Sequence, residues 1–165
     1  MSAGRSRVRR WLLEIALLLL VFFGVRAWMT QDLAAGPTPP LNGLTLDGQP
    51  VQLAGDQPVL VHFWATWCPV CRTQEGTIDD IARDHRVITV ALQSGEAAEL
   101  RHHLQAEGLS LTVIPDPEGR IAAAWGVTGV PASFVVRDGI IRFREKGYTS
   151  GPGLRARLWL ASVLD

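Results

Sequence analysis

Apolar and polar positions divide the chain into one long apolar run and a series of shorter, regularly spaced ones. Residues 11–29 read Trp-Leu-Leu-Glu-Ile-Ala-Leu-Leu-Leu-Leu-Val-Phe-Phe-Gly-Val-Arg-Ala-Trp-Met. At ~1.5 Å per residue, these 19 residues nearly match the ~30 Å hydrocarbon core of a bilayer. Trp11 and Trp28 stand at the two ends, where aromatic anchors belong, and the polar Glu14 and Arg26 lie near those ends. Beyond this run, strand-like segments alternate with helical ones. Residues 59–65 predict a buried strand, 69–85 a helix with Ile78, Ile81 and Ala82 on one face, and 86–92 a second core strand. A helix follows over 96–107 and stops at Gly108. Residues 111–114 are short and strand-like, and 118–125 carry a helical pattern. Strands over 133–136 and 140–144 flank Asp138-Gly139, a strong hairpin signal, and residues 153–164 close the chain as an amphipathic helix.

Ahead of this series, residues 41–53 predict a small hairpin turning at Asp47-Gly48. Residues 30–40, with Gly36-Pro37-Thr38-Pro39-Pro40, predict a stiff, extended linker. The β–α–β–α–β order followed by an antiparallel hairpin and a helix predicts an α/β fold: a mixed central sheet with helices on both faces. The domain plan is a basic segment over 1–10, a membrane anchor over 11–29, a linker over 30–40 and one α/β domain over 41–165.

Charge changes the picture at the N-terminus. The 165-residue chain is neutral overall, but residues 1–10 hold four arginines (Arg5, Arg7, Arg9, Arg10) and no acid. Under the positive-inside rule, that end stays in the cytoplasm and the α/β domain is exported, as a single-pass protein of a bacterial inner membrane facing the periplasm. A cleaved signal peptide is the rival reading. Leu33-Ala34-Ala35 is a weak cleavage site, because bulky Leu33 sits where a small residue is preferred. From residue 30 onward there are 11 basic and 15 acidic side chains, which excludes an electrostatic footprint for nucleic acid.

The chemistry lies in Trp67-Cys68-Pro69-Val70-Cys71, which holds the only two cysteines. A strand precedes the pair and a helix follows, so Cys68 falls at a helix N-terminus, where the helix dipole and free N–H groups stabilise a thiolate. A thiolate beside a second thiol can attack a disulfide and be released by its neighbour. Half of a zinc site is an alternative, but no second Cys-x-x-Cys or His-x-x-x-His pair completes it. A passive disulfide is another, although so short a loop stabilises little. A Cu(I) site built on the two thiolates is a third. Trp67, Pro69 and Val70 offer an apolar surface beside the thiols. His85, His102 and His103 are expected to be solvated.

Residues 63–72 (Phe-Trp-Ala-Thr-Trp-Cys-Pro-Val-Cys-Arg) resemble the active-site stretch of the thioredoxin superfamily, and Gly126-Val127-Thr128-Gly129-Val130-Pro131-Ala132 resembles its cis-proline segment. Asp116-Pro117-Glu118-Gly119-Arg120, followed by Trp125-Gly126-Val127, is similar to its membrane-anchored bacterial branch. That branch holds the TlpA-like, cytochrome-c-maturation and copper-sensitivity suppressor D types, the last the most similar. The resemblance implies a thioredoxin-like fold in which Cys68 is the exposed nucleophile, Cys71 the resolving thiol and Pro131 a cis-proline against the pair. Val130 would offer its backbone to an extended substrate.

Two positions depart from the family. An acid six residues before the first cysteine is replaced by His62, and a glutamate three residues after the second is replaced by Gln74, with Glu75 next. His62 or Glu75 is therefore the expected proton acceptor for Cys71. The uncharged Pro69-Val70 dipeptide stabilises the Cys68 thiolate less than a histidine there would, which favours a reductant over a disulfide donor. The resemblance further implies no cofactor beyond the Cys68–Cys71 disulfide, a disulfide-bearing substrate protein and a membrane thiol transporter as electron donor. Apocytochrome c and copper-stressed proteins are the candidate substrates. With one anchor and no heptad pattern, a monomer is expected.

Overall fold

The computed structural model describes residues 3–164, apart from the side chains of 3–8 and 26–27. The first two residues of the expected basic segment and the side chains of Arg5, Arg7 and Arg26 thus lie outside what the structure describes. The chain divides into two compact units, Met1–Gln31 and Asp32–Asp165.

The first unit is one helix, α1 (Ala3–Met29). Its described apolar side chains from Trp11 to Val25 are exposed all round. Among the described residues, no helix is long and apolar enough to cross a membrane.

The second unit is a six-stranded mixed sheet in the order β1-β6-β5-β2-β3-β4. Its strands are β1 (Gly36–Pro37), β2 (Val59–Trp64), β3 (Arg86–Leu92), β4 (Val113–Asp116), β5 (Ala132–Arg137) and β6 (Ile140–Lys146). β2, β3 and β4 run parallel, while β5, β6 and β1 are antiparallel additions. Every residue of β2 is buried, which is why this strand reads as a continuous apolar run. Alternate residues still face opposite ways. Val59, Val61 and Phe63 enter a core with Trp125, Phe134 and Ile121. Leu60 and Trp64 enter a second core with Cys71, Ile78, Leu100 and Leu154.

Helices cover both faces. α4 (Arg120–Ala124) lies on the first, and α2 (Pro69–Ala82), α3 (Ala97–Glu107) and α5 (Gly151–Val163) supply the second. Phe63, Trp125 and Phe134 pack edge-on or tilted, with ring centroids 4.9–5.7 Å apart. The Asp138-Gly139 hairpin forms as expected, with both residues at positive φ (54° and 70°).

Two expectations need correction. Residues 30–40 are not a free linker, because from Asp32 onward they belong to the domain. Leu33 is 2% exposed, Ala34 N–H donates to the Trp125 carbonyl, and Gly36–Pro37 pair with Ile140 and Ile141 of β6. Apolar Leu33 gains more in the core than an extended segment gains in water. The hairpin over 41–53 reduces to a single bridge, Leu44 to Pro50. Its second arm does not pair further, and Leu46 N–H turns instead to the Val113 carbonyl on the edge strand β4.

Candidate active site

Cys68 is the N-cap of α2, with extended backbone (φ −91°, ψ 110°), and Pro69 opens the helix. Proline suits that position because its missing N–H would have no helical partner and its φ is already helical. The Cys68 Sγ accepts the Cys71 N–H at 3.2 Å, so the sulfur takes the place of an N-cap oxygen. A negative charge on this sulfur meets an N–H donor and the positive end of the helix. The two cysteines stand at disulfide distance, with Cα atoms 5.3 Å apart.

Their access differs. Cys68 is 5% exposed and Cys71 is fully buried, so only the first can be met from outside. Cys68 is less open than the expected exposed nucleophile, because the Val130-Pro131 segment closes over it. The Val130–Pro131 bond is cis, and the Val130 carbonyl oxygen lies 3.6 Å from Cys68 Sγ. Around this opening Trp67, Pro69 and Val70 are exposed, Val130 is half-buried and Pro131 is buried.

The loop before α2 is fixed by residues that sequence reasoning did not single out. Thr66 N–H donates to Ser94 Oγ at 3.0 Å, and Trp67 Nε1 donates to the Gln93 carbonyl at 3.0 Å. Gln93 stands at positive φ (46°) immediately after β3, an uncommon conformation for a residue other than glycine. Trp67 is therefore held in place while its ring stays 56% exposed.

Four buried polar side chains lie on β2 and α2. His62 projects from β2 on the Trp64 side of the sheet, and its Nδ1 lies 2.9 Å from Ser133 Oγ on the neighbouring strand. Burial lowers its pKa from 6.5 to about 3, so it is neutral across physiological pH. Gln74 is fully buried, and its Nε2 donates to the Thr149 carbonyl at 2.8 Å. As an amide it ties α2 to the turn before α5 and accepts no proton. Glu75 follows Cys71 by four residues, which places both on one helix face. The Glu75 side chain is 8% exposed, and its Oε1 lies 3.2 Å from His103 Nε2. Asp79 accepts the Ser110 N–H at 2.6 Å and meets Arg83 at 3.4 Å.

His103 corrects the expectation of a solvated histidine. It is 14% exposed, bonded to Glu75, and lies against Trp64 with ring centroids 5.4 Å apart. Its neighbour His102 is exposed, as expected. Among the described residues, no group of three or more His, Cys, Asp or Glu side chains could hold a metal ion.

Comparison with known proteins agrees with this geometry. Residues 35–144 match the AhpC/TSA family. A thioredoxin-like protein of Haemophilus influenzae is 33% identical over 107 residues, a stretch that covers 64% of this chain and 64% of that relative. A thiol:disulfide interchange protein DsbE homolog of Paracoccus denitrificans is 36% identical over 141 residues, covering 76% of this chain and 78% of the relative. A crystal structure from Chlorobium tepidum, described as a DsbE thiol:disulfide interchange protein, superposes with a TM-score of 0.68 at 25% identity, covering 79% and 99% of the two chains. With a helix-capping Cys-x-x-Cys pair under a cis-proline loop, the chain belongs to the AhpC/TSA family and is a thioredoxin-like thiol–disulfide oxidoreductase.

Proposed function

We propose that this protein reduces disulfides in partner proteins on the outer side of a bacterial inner membrane. The observation that carries the reading is the pairing of a capped, reachable Cys68 with a fully buried Cys71 beneath the Val130 carbonyl. Cys68 attacks the partner's disulfide as a thiolate. One partner sulfur leaves with its electron pair and takes a proton, and the other stays joined to Cys68. Cys71 then attacks Cys68 Sγ, which forms the Cys68–Cys71 bond and releases the second partner thiol. The partner gains two electrons and two protons, and the protein loses them. Because Cys71 stands beside Cys68, with Cα atoms 5.3 Å apart, its attack on the mixed disulfide is intramolecular and outruns that of solvent thiols.

The partner chain lies extended against Val130 beside Pro131, with Trp67, Pro69 and Val70 covering its apolar flank. Either His62 or Glu75 takes the Cys71 proton, and the neutrality of His62 favours Glu75. No cofactor beyond the disulfide is required. Direction follows from the uncharged Pro69-Val70 dipeptide, which leaves the thiolate less stabilised and the disulfide harder to reduce. Electrons would come from a membrane thiol transporter.

Anchoring by residues 11–29, with residues 1–10 in the cytoplasm, is supported by the arginines ahead of the apolar run and by the exposure of its described side chains. Apocytochrome c and copper-stressed proteins are the candidate partners, and the similar Paracoccus denitrificans protein, named as a thiol:disulfide interchange protein, supports only the disulfide chemistry.

The reading is tested with the full chain in detergent and a disulfide-bearing test protein. Cys71→Ser should trap a mixed disulfide on Cys68 that thiol reagents dissolve. Cys68→Ser should trap nothing and reduce nothing. Equal trapping by the two variants would overturn the assignment.

A further inference from the structure

Cys71 has to lose a proton before it can attack, yet it is fully buried in an apolar half-core with Leu60, Trp64, Ile78 and Leu100. Burial without a partner disfavours the thiolate. The proton therefore needs an acceptor inside the protein and a way out. Gln74 is an amide, and His62 is a neutral ring tied to Ser133. The Asp79 carboxylate is committed to the Ser110 N–H and to Arg83. Glu75 remains, one helical turn beyond Cys71 and nearly buried.

A buried carboxylate that takes up a proton must also give it up, and Glu75 touches a group suited to that. His103 Nε2 lies 3.2 Å from Glu75 Oε1, and the His103 side chain keeps 14% of its surface open to solvent. Its ring is held against Trp64, the last residue of β2. The pair thus links the buried floor of the site to water through two side chains from different helices. The histidine is not a surface residue that happens to reach an acid, because it is pinned from two sides.

We propose that His103 is a positioning residue for the resolving step: joined to Glu75, it sets the pH at which Cys71 gives up its proton and carries that proton to solvent. This rests on the two-cysteine mechanism above and deepens it. In the resolving step the Cys71 thiol passes its proton to the Glu75 carboxylate, and the thiolate attacks Cys68 Sγ. The Cys68–Cys71 bond forms, the bond from Cys68 to the partner sulfur breaks, and that sulfur leaves with the electron pair and is protonated from water. Glu75 returns to the carboxylate by handing its proton to His103, which releases it to solvent.

Few other charges act on the pair. On α2, Arg72 and Asp79 sit about one turn to either side of Glu75, and Arg72 Nε donates to the Thr66 carbonyl. On α3, Glu99 and Glu107 sit one turn to either side of His103. Glu99 accepts the Glu96 N–H in the capping box, and Glu107 is exposed. From β2, His62 contributes no charge, since its pKa is lowered to about 3.

The test is a single turnover of the reduced full chain, in detergent, with 5,5′-dithiobis(2-nitrobenzoic acid) across a pH series. Attack by Cys68 releases the first coloured thiolate, and resolution by Cys71 releases the second. His103→Gln should leave the first phase unchanged. It should slow the second roughly tenfold at pH 7 and move its pH profile upward by about one unit. Glu75→Gln should do the same, and the double variant should add little. His102→Gln, a change at the exposed neighbour, should leave both phases as they are. A second phase in His103→Gln that follows the wild-type profile would overturn the proposal, as would equal slowing of both phases. Should the variant not fold, the His103 ring signals of the wild type are followed by NMR. Coupling requires different titration midpoints in reduced and oxidised protein, and identical midpoints overturn it. If the wild type itself releases no second thiolate, the two-cysteine mechanism fails instead, and that result is distinct from any result on His103.

Discussion

Cys68 Sγ and the Val130 carbonyl oxygen lie 3.6 Å apart although 62 positions separate the residues in sequence. The contact joins the N-terminus of α2 to the loop before β5. Under the proposed function, a partner chain enters between the exposed ring of Trp67 and the backbone at Val130. Trp67→Ala should therefore lower kcat/KM roughly tenfold for a protein substrate, chiefly through KM. A small disulfide reagent, which does not use that surface, should react at close to the wild-type rate. Both are read from steady-state kinetics on the same preparation.

His62 makes stability depend on pH. Its pKa is 6.5 in the ordinary state and about 3 in the fold. Between those values the unfolded chain binds one proton more than the folded chain. Stability is therefore complete above about pH 6.5 and falls as the pH drops towards 3, by about 1.4 kcal/mol per unit. Denaturant unfolding at a series of pH values should show this slope. His62→Gln should lack this contribution, since glutamine does not titrate, so that the difference between the two proteins carries the slope.

Gly126 stands at φ +67°, and a Cβ there would meet the Asp32 carbonyl oxygen at 1.9 Å. Gly126→Ala should cost about 2 kcal/mol or more, from the strained backbone and the displaced 32–34 segment together. Thermal unfolding measures the loss. A neutral result would mean that residues 32–34 are not packed on the domain.

Membrane placement has its own readout. The full chain should stay in the membrane pellet after alkaline carbonate, and a membrane-impermeant maleimide should label Cys68 in intact spheroplasts under reducing conditions. Labelling that requires detergent would put the domain on the cytoplasmic side.

The central strands and the cysteine pair were legible because their signals are local. β2 and β3 are apolar runs of strand length, and Cys68-Pro69 announces a helix start in its own sequence. The packed segment 32–38 was not, because nothing local says that Leu33 will reach the Trp125 side of the sheet. The 41–53 arm failed for a similar reason, since Leu46 finds its partner on β4 and not on its own strand. His103 carries no motif, and its tie to Glu75 spans 28 positions. The available signal was indirect: Glu75 falls one turn from Cys71 on a buried face, and a buried carboxylate requires a partner. His62 was legible as a departure from the family, but its neutrality follows from its burial on the Trp64 face of the sheet, which the sequence does not show.

The most direct test of the central claim is the reduction potential of the Cys68–Cys71 pair in the full chain, titrated against a thiol buffer with Trp fluorescence as the signal. Trp67 stands beside the disulfide and should report its reduction. A potential near or below roughly −220 mV, in the range of thioredoxin-like reductants, is the predicted result. A value near roughly −120 mV, as for strongly oxidising disulfide donors, would contradict the account and make the protein a donor of disulfides.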